Sequence, residues 1–374
     1  MNILVLGGTG AMGVPLVEKL SQNNIVYVTT RRQRESTENI KYIIGNAKDE
    51  AFLKSTVSMK RWDAIIDFMI YDFTEIKRLA SFFLDNAKQY IFISSARVYS
   101  QTEEKITEKT PRLLEASTDK VYIQTNEYAL AKAREEDVFL KSNKTNYTII
   151  RPTITYNTYR LQLGVLEKEN WLYRALKGRS IVFSYDINSK LTTMTLGDDV
   201  SAGIASIVGE EKALGEIFHI TSPLSLPWSE VLATYKAVLE RHLGKEVPVV
   251  MTEKSTNLRF KHRIYQVIYC RYFNRTFDNS KIGQFCDVAN FTAPQSGLAK
   301  CLENFLKKPK FNNYIAWDLE AINDRIAGER TPLNEIPSIG NKITYFCHRN
   351  NIGFILNAIL GLKKLIENIK SVTK

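Results

Sequence analysis

The sequence predicts an α/β protein built on a doubly wound parallel sheet, and three observations carry that prediction. Short, wholly apolar runs recur through the first part of the chain, as in strands buried on both faces of a parallel sheet. Segments with helical apolar spacing separate these runs. The first run passes directly into a glycine-rich turn that opens a helix.

The elements follow in order. Residues 2–6 read as the first strand. Gly7, Gly10 and Gly13 come next, and Val14, Leu16, Val17 and Leu20 then recur at helical spacing. A second strand covers Ile25–Val28 and runs on into Thr29-Thr30-Arg31-Arg32. Tyr42–Ile44 is a third strand, followed by Gly45-Asn46-Ala47-Lys48-Asp49. Ala64–Phe68 is a fourth, a helix spans about 73–88, and Tyr90–Ile93 is a fifth strand ending in Ser94-Ser95-Ala96-Arg97-Val98-Tyr99. Asn126–Leu140 reads as a helix, Gly215–Ile220 as a strand and Trp228–Leu243 as a helix.

Composition narrows the classes of function. A length of 374 residues fits about two domains. The formal net charge of +11 favours anionic partners: phosphates, nucleic acid or an acidic membrane face. Cys270, Cys286, Cys301 and Cys347 form no Cys-x-x-Cys pair and have no histidine at zinc-site spacing. They are expected to be free thiols in a reducing compartment, with no metal site. No apolar stretch has the length of a secretory leader or a membrane span, so a cytoplasmic protein is expected.

Strand, glycine turn and helix in that order make a dinucleotide site. One glycine allows the tight turn, one a close approach to a pyrophosphate, and one close packing of helix on strand. The helix N-terminus then offers free N–H groups and its positive dipole end to the phosphates. The end of the second strand selects the cofactor. A carboxylate there would bind the ribose 2′-hydroxyl of NAD, whereas Arg31 and Arg32 suit a 2′-phosphate, so NADP is preferred over NAD.

The catalytic signal is Tyr128-Ala129-Leu130-Ala131-Lys132, which sets Tyr and Lys one turn apart on one helix face. A free phenol has a pKa of about 10 and is a poor base at neutral pH. A neighbouring ammonium favours its ionised form, so Tyr128 can exchange a hydroxyl proton while hydride moves to or from a nicotinamide. Ser95 would hydrogen-bond the same substrate oxygen, and Lys132 would also hold the nicotinamide ribose.

These residues resemble the extended short-chain dehydrogenase/reductase, or NAD-dependent epimerase/dehydratase, family, whose nucleotide-binding part is a Rossmann domain. The resemblance includes Gly7-x-x-Gly10-x-x-Gly13, Ser95-Ala96-Arg97-Val98-Tyr99, Tyr128-x-x-x-Lys132 and Arg151-Pro152-Thr153-Ile154-Thr155-Tyr156. Asp198-Asp199-Val200-Ser201-Ala202 and Phe277-Asp278-Asn279-Ser280-Lys281 extend it to roughly residue 310. It implies cofactor contacts from Gly7, Thr9, Gly10, Ala11, Met12, Gly13, Arg31, Arg32, Asn46, Ala47, Phe68, Tyr128, Lys132, Pro152 and Thr153. It implies catalysis by Ser95, Tyr128 and Lys132, and substrate contacts from Ser95, Ala96 and Arg97. Three departures stand out. Ala96 and Arg97 occupy the places of the Asp-Glu pair of 4,6-dehydratases, which argues against that dehydration. Asn157-Thr158 replaces the usual Gly-Pro, and Asn46 the usual aspartate.

The resemblance also implies an interleaved architecture: residues 1–156 and about 188–221 in the Rossmann domain, 157–187 and 222–340 in a smaller α/β substrate domain. His219 is expected to be packed. Residues 259–275 carry five Lys/Arg and no acid, interleaved with aromatics. That composition suits a nucleotide diphosphate, with Arg271 and Arg275 placed where relatives hold it. An aromatic core face with a solvated basic face, or a nucleic-acid patch, are the other readings. Residues 351–370 read as a basic amphipathic helix within a tail, 341–374, that packs on its own body, on a second subunit as in a homodimer, or peripherally on a membrane. The expected activity is therefore that of a nucleotide-sugar epimerase or keto-reductase. Reduction of a non-sugar carbonyl and an RNA-binding or regulatory role are the alternatives, with nucleic acid the less favoured partner.

Overall fold

The computed structural model describes residues 1–258, 264–311 and 315–352. In chain order the elements are β1 (Asn2–Leu6), α1 (Gly13–Leu20), β2 (Ile25–Thr30), β3 (Ile40–Ile44), α2 (Glu50–Val57), β4 (Trp62–Asp67), α3 (Phe73–Asn86) and β5 (Ala87–Ile93). The short α4 (Leu113–Ala116) and α5 (Lys120–Ile123) precede α6 (Tyr128–Leu140), β6 (Tyr147–Pro152) and β7 (Ile154–Tyr156). Then come α7 (Lys168–Leu176), β8 (Ile181–Ser184), α8 (Tyr185–Asn188), β9 (Leu191–Thr192), β10 (Met194–Leu196), α9 (Gly197–Ile207), β11 (Glu216–Ile220), β12 (Leu226–Pro227) and α10 (Trp228–Leu243). The chain continues with β13 (Val249–Thr252), α11 (Ile264–Gln266), α12 (Pro294–Lys307), α13 (Trp317–Ala327) and α14 (Ile339–Arg349).

Seven strands form one sheet in the order β11-β6-β5-β4-β1-β2-β3, and every pairing in it is parallel. The order reverses at β1, which lies between β2 and β4; open α/β sheets bind ligands at such a switch point. Both sheet faces are covered. Ile3, Val5, Val26 and Val28 pack with Leu16, Val17, Ile204 and Ile207 of α1 and α9 on one side. Leu4, Leu6, Ile65 and Phe92 pack with Ile76, Leu79, Phe83 and Phe139 of α3 and α6 on the other. This double burial is why the strands read as unbroken apolar runs.

The contacts divide the chain into two compact units. The first comprises Met1–Arg160, Lys190–Glu230 and Phe273–Cys301; the second comprises Leu161–Ser189, Val231–Tyr272 and the described residues from Leu302 on. Phe273–Cys301, placed by sequence with the substrate domain, thus groups with the sheet. A bridge between Ile106 and Phe277, and Asn279 bonds to Thr221, hold it there. In the second unit β13 pairs in parallel with β8. Its interior holds a buried ionic cluster: Arg174 donates to Glu320 at 2.9 Å and to Glu329 at 2.7 Å, and Arg179 donates to Glu320 at 3.1 Å. No helix among the described residues is long and apolar enough to cross a membrane. The tail helix expected over 351–370 falls outside the described residues from 353 on, as do 259–263 of the basic segment.

Candidate active site

The glycine turn joins β1 to α1 at the switch point. Gly7 has φ +71°, a conformation that side chains strain to adopt, and its N–H donates to Thr29 Oγ1 at 3.0 Å, tying the turn to the end of β2. A Cβ on Gly13 would lie 2.6 Å from the backbone of Gly8, so only glycine lets α1 seat there. Around Gly10 nothing lies within 4 Å of a built Cβ, which leaves room for a ligand's backbone contact. Met12, the N-cap of α1, makes no side-chain cap, and the first turn carries no acid; Val14 N–H is bonded to Gly10 O at 3.1 Å and Pro15 has no N–H, so it is chiefly the positive dipole end of α1 that is open to an anion. The Asp198–Ala202 segment braces this turn from α9: Ser201 Oγ donates to Met12 O at 2.7 Å.

A cleft of about 330 Å³ opens beside the turn. Six of the expected cofactor residues line it: Gly7, Thr9, Arg31, Asn46, Ala47 and Phe68. Thr29, Thr30, Gly45, Lys48, Met69 and Ile70 complete the wall. Of these, Lys48 is a cation that motif reading passed over; it lies 3.7 Å from Glu75. Arg31 and Arg32 are both exposed, but only Arg31 lines the cleft. Gly10, Ala11, Met12 and Gly13 lie in the adjoining turn and helix start, while Pro152 ends β6 and Thr153 links it to β7.

The three candidate catalytic residues lie just after β5 and on α6. Ser95 follows β5 and is buried; its Oγ accepts from Arg97 N at 3.2 Å, which caps the short helical turn Ala96–Val98. Tyr128 opens α6 and is 43% exposed, whereas Lys132, one turn later, is buried. Lys132 Nζ donates to Glu135 Oε2 at 2.9 Å and lies 4.7 Å from the centre of the Phe92 ring. The guanidinium of Arg97 lies 5.2 Å from the centre of the Tyr128 ring and pairs with Glu127. Glu127 also caps α6 by accepting from Ala129 N at 2.8 Å, and accepts from Tyr122 Oη at 3.1 Å. Ala96 is buried among Val98, Tyr99 and Ala133.

A buried ionic lock sets the position of α6. Arg151 of the Arg-Pro segment grips Glu136 with two bonds of 2.8 and 2.6 Å. Glu136, fully buried, also accepts from Ser94 Oγ at 2.5 Å and Arg112 Nη1 at 3.1 Å. These bonds join α6 to β6, to the segment after β5 and to Arg112 ahead of α4. Glu136 stands four residues beyond Lys132, on the same helix face, and that spacing was the available sequence signal.

Asp67, at the end of β4, is a second acid that motif reading missed. Its carboxylate is buried and accepts from Met69 N at 2.8 Å and from the hydroxyls of Tyr71 and Tyr90, each at 2.9 Å. Desolvation outweighs these donors and the nearby Lys132, and raises its pKa to about 6. His219 is buried, with Nε2 2.6 Å from Asp278 O and Nδ1 3.3 Å from Tyr99 Oη; burial depresses its pKa.

Arg271 and Arg275 of the basic segment are buried rather than solvated. Arg271, on a π-helical turn, donates to Gly164 O at 3.0 Å and Gln162 Oε1 at 3.3 Å. Arg275 donates to Tyr99 O at 3.1 Å. The four cysteines are free.

Comparison with known proteins bears on the fold. Residues 3–183 match the model of the NAD dependent epimerase/dehydratase family. A UDP-glucuronic acid 4-epimerase from Bacillus cereus, solved with UDP-glucuronic acid and NAD, shares the fold with a TM-score of 0.61 and 14% identity, over 83% of this chain and 100% of that one. A dTDP-glucose 4,6-dehydratase from Bacillus anthracis, solved with NAD, has a TM-score of 0.58 and 16% identity, over 82% of this chain and 97% of that one. The chloroplast stem-loop binding protein of 41 kDa b from Arabidopsis thaliana is 27% identical over 239 residues, which is 59% of this chain and 58% of the relative. Residues 3–183, which carry the glycine turn at the switch point of the sheet, are where this chain resembles the NAD dependent epimerase/dehydratase family.

Proposed function

We propose that the protein is an NAD(P)-dependent oxidoreductase or epimerase acting on a nucleotide-linked sugar, with NADP preferred. The observation that carries this reading is the joint placement of Ser95, just after β5, and the Tyr128-x-x-x-Lys132 pair, on α6, in a Rossmann sheet with an open glycine turn. The chain's residues fit the cofactor: a positive-φ glycine, an open Gly10, an uncapped helix start, and a cleft with Arg31 at its wall for a 2′-phosphate. When bound, the nicotinamide supplies or accepts hydride at a sugar carbon. Tyr128 exchanges the hydroxyl proton on that carbon, Ser95 holds the oxygen, and Lys132 supplies positive charge beside the phenol and binds the ribose. Arg97, stacked on Tyr128, faces the substrate. Arg271 and Arg275 are the proposed diphosphate contacts, which requires their present carbonyl partners to be shared or exchanged.

The test is a thermal-shift screen of the whole chain with NADPH, NAD, and UDP-, GDP-, CDP- and dTDP-sugars. Ligands that bind the folded state raise its apparent stability. NADPH and one class of nucleotide sugar should each raise the melting temperature, and the sugar that does so should turn over. Stabilisation by NADPH with no nucleotide sugar, together with turnover of a simple ketone, would point to the non-sugar reductase instead.

A second reading has its own support: the net charge of +11 and the similarity to a stem-loop binding protein. On this reading the protein binds a nucleic-acid hairpin. It requires affinity for an RNA hairpin that falls steeply with salt, in a protein with no sugar turnover.

A further inference from the structure

Glu135 is a buried carboxylate that the proposed chemistry leaves unused. Its side chain is 3% exposed and that of Lys132 is 5% exposed, and the two meet at 2.9 Å one helical turn apart. Burial pushes the Glu135 carboxyl up, against the pull of Lys132. Further titratable groups surround the pair: the carboxyls of Glu136 on the same helix, Asp72 at the start of α3 and Asp67 on β4, and the neutral Tyr90 hydroxyl on β5. An ammonium has three donors and a flexible four-carbon stem. In a site with no acceptor its head could take several directions. Here one donor is committed to Glu135, and the Phe92 face lies 4.7 Å away on the β5 side. The direction of the two remaining donors is thereby restricted.

We propose that Glu135 is a positioning residue of the active site, which orients Lys132 by accepting one of its three donors and so directs the others toward the bound cofactor. The proposal rests on the functional reading above. It makes a hydrogen-bond acceptor, rather than a negative charge, the essential feature at this position.

The test compares wild type, E135Q and E135L in the full chain. NADPH affinity is read by titration of intrinsic fluorescence, with melting temperature recorded alongside. E135L should bind NADPH at least about tenfold more weakly, the cost of about 1.4 kcal/mol of lost orientation. E135Q keeps an acceptor oxygen and should stay within about threefold of wild type. Wild-type affinity in E135L overturns the proposal. Equal losses in E135L and E135Q also overturn it, because they mark a purely electrostatic or structural role. A cofactor-free cycle of K132M, E135L and the double variant separates this from the functional reading. Melting shifts that fail to add show that the pair is coupled in the unliganded protein. Additive shifts overturn the proposal whatever binds. Coupled shifts in a protein that binds neither NADPH nor NAD refute the cofactor reading and, with it, the proposed purpose of the pair, while leaving the pair itself established.

Discussion

Tyr128 and Lys132 are neighbours in sequence with opposite surroundings. The phenol is 43% exposed, and the ammonium is buried against Glu135 and Phe92. That division suits a group that meets substrate and a group that meets cofactor. Tyr128→Phe should reduce turnover by about 10²–10⁴-fold and leave NADPH affinity near wild type, as general acid–base catalysis requires. Near-full activity in that variant would remove Tyr128 from the chemistry. Arg31 lines the cleft and Arg32 does not, so the two should separate in a binding assay. Arg31→Ala should weaken NADPH by about 10–100-fold, the loss of a charge-assisted bond, and change NAD little. Equal effects on both cofactors would assign Arg31 to the surface. Asp67 predicts a pH dependence. Its folded pKa, about 6, lies above the ordinary aspartate value of 3.8, so the folded state holds the proton more tightly. The stabilisation is complete below pH 3.8 and is lost as pH rises towards about 6, by at most ~3 kcal/mol. Denaturant titrations at pH 4 and pH 7 should show the wild-type advantage over Asp67→Asn shrinking across that interval. A constant difference would mean that folding leaves the Asp67 carboxyl unshifted.

At the scale of elements, α1 and α6 are placed by different physics. α1 approaches the β1 turn closely because Gly13 has no side chain. Gly13→Ala would press a methyl against the Gly8 backbone at 2.6 Å, costing about 1–3 kcal/mol and disturbing the phosphate-facing helix start. NADPH affinity and melting temperature should fall together; an alanine variant that binds normally would show that α1 can shift. α6 is held by charge. Glu136 takes bonds from Arg151, Arg112 and Ser94 in a site that excludes water. Glu136→Gln leaves the buried Arg151 guanidinium without its carboxylate, while Arg112 keeps Glu115 and Asp137, and should destabilise the fold by about 3–5 kcal/mol in equilibrium unfolding. The glycine spacing was legible in the sequence, because backbone geometry alone demands it. The Glu136 lock was not, since its partners stand 24 and 15 residues away and meet only in the folded sheet. Arg151 was legible as a motif residue, yet its work is to hold the helix that carries Tyr128 and Lys132.

The two units of the molecule bury polar groups in different ways. The first is a sheet with apolar layers on both faces. The second keeps Arg174 fully buried among Glu320, Asp324 and Glu329. Arg174→Met should cost about 3–5 kcal/mol of stability by removing the charge those carboxylates share, although Arg179 still reaches Glu320. It should leave NADPH affinity unchanged, since none of these residues is among those lining the cleft. A matching loss of NADPH affinity would show that the cluster supports the cofactor site after all.

The sequence by itself determined the parallel sheet, its glycine turn, and the candidacy of Ser95, Tyr128 and Lys132. Each depends on local spacing: apolar runs, glycines three apart, a four-residue step on one helix. Only the tertiary structure decided what surrounds them. It paired Lys132 with Glu135, stacked Arg97 on Tyr128, separated Arg31 from Arg32, and moved Phe273–Cys301 to the unit that contains the sheet. It also buried Arg271 and Arg275, which composition had left open between a solvated face and a phosphate site. The reason is physical. Burial and charge pairing depend on which distant segments converge, and a motif carries no information about the partners that folding brings to it.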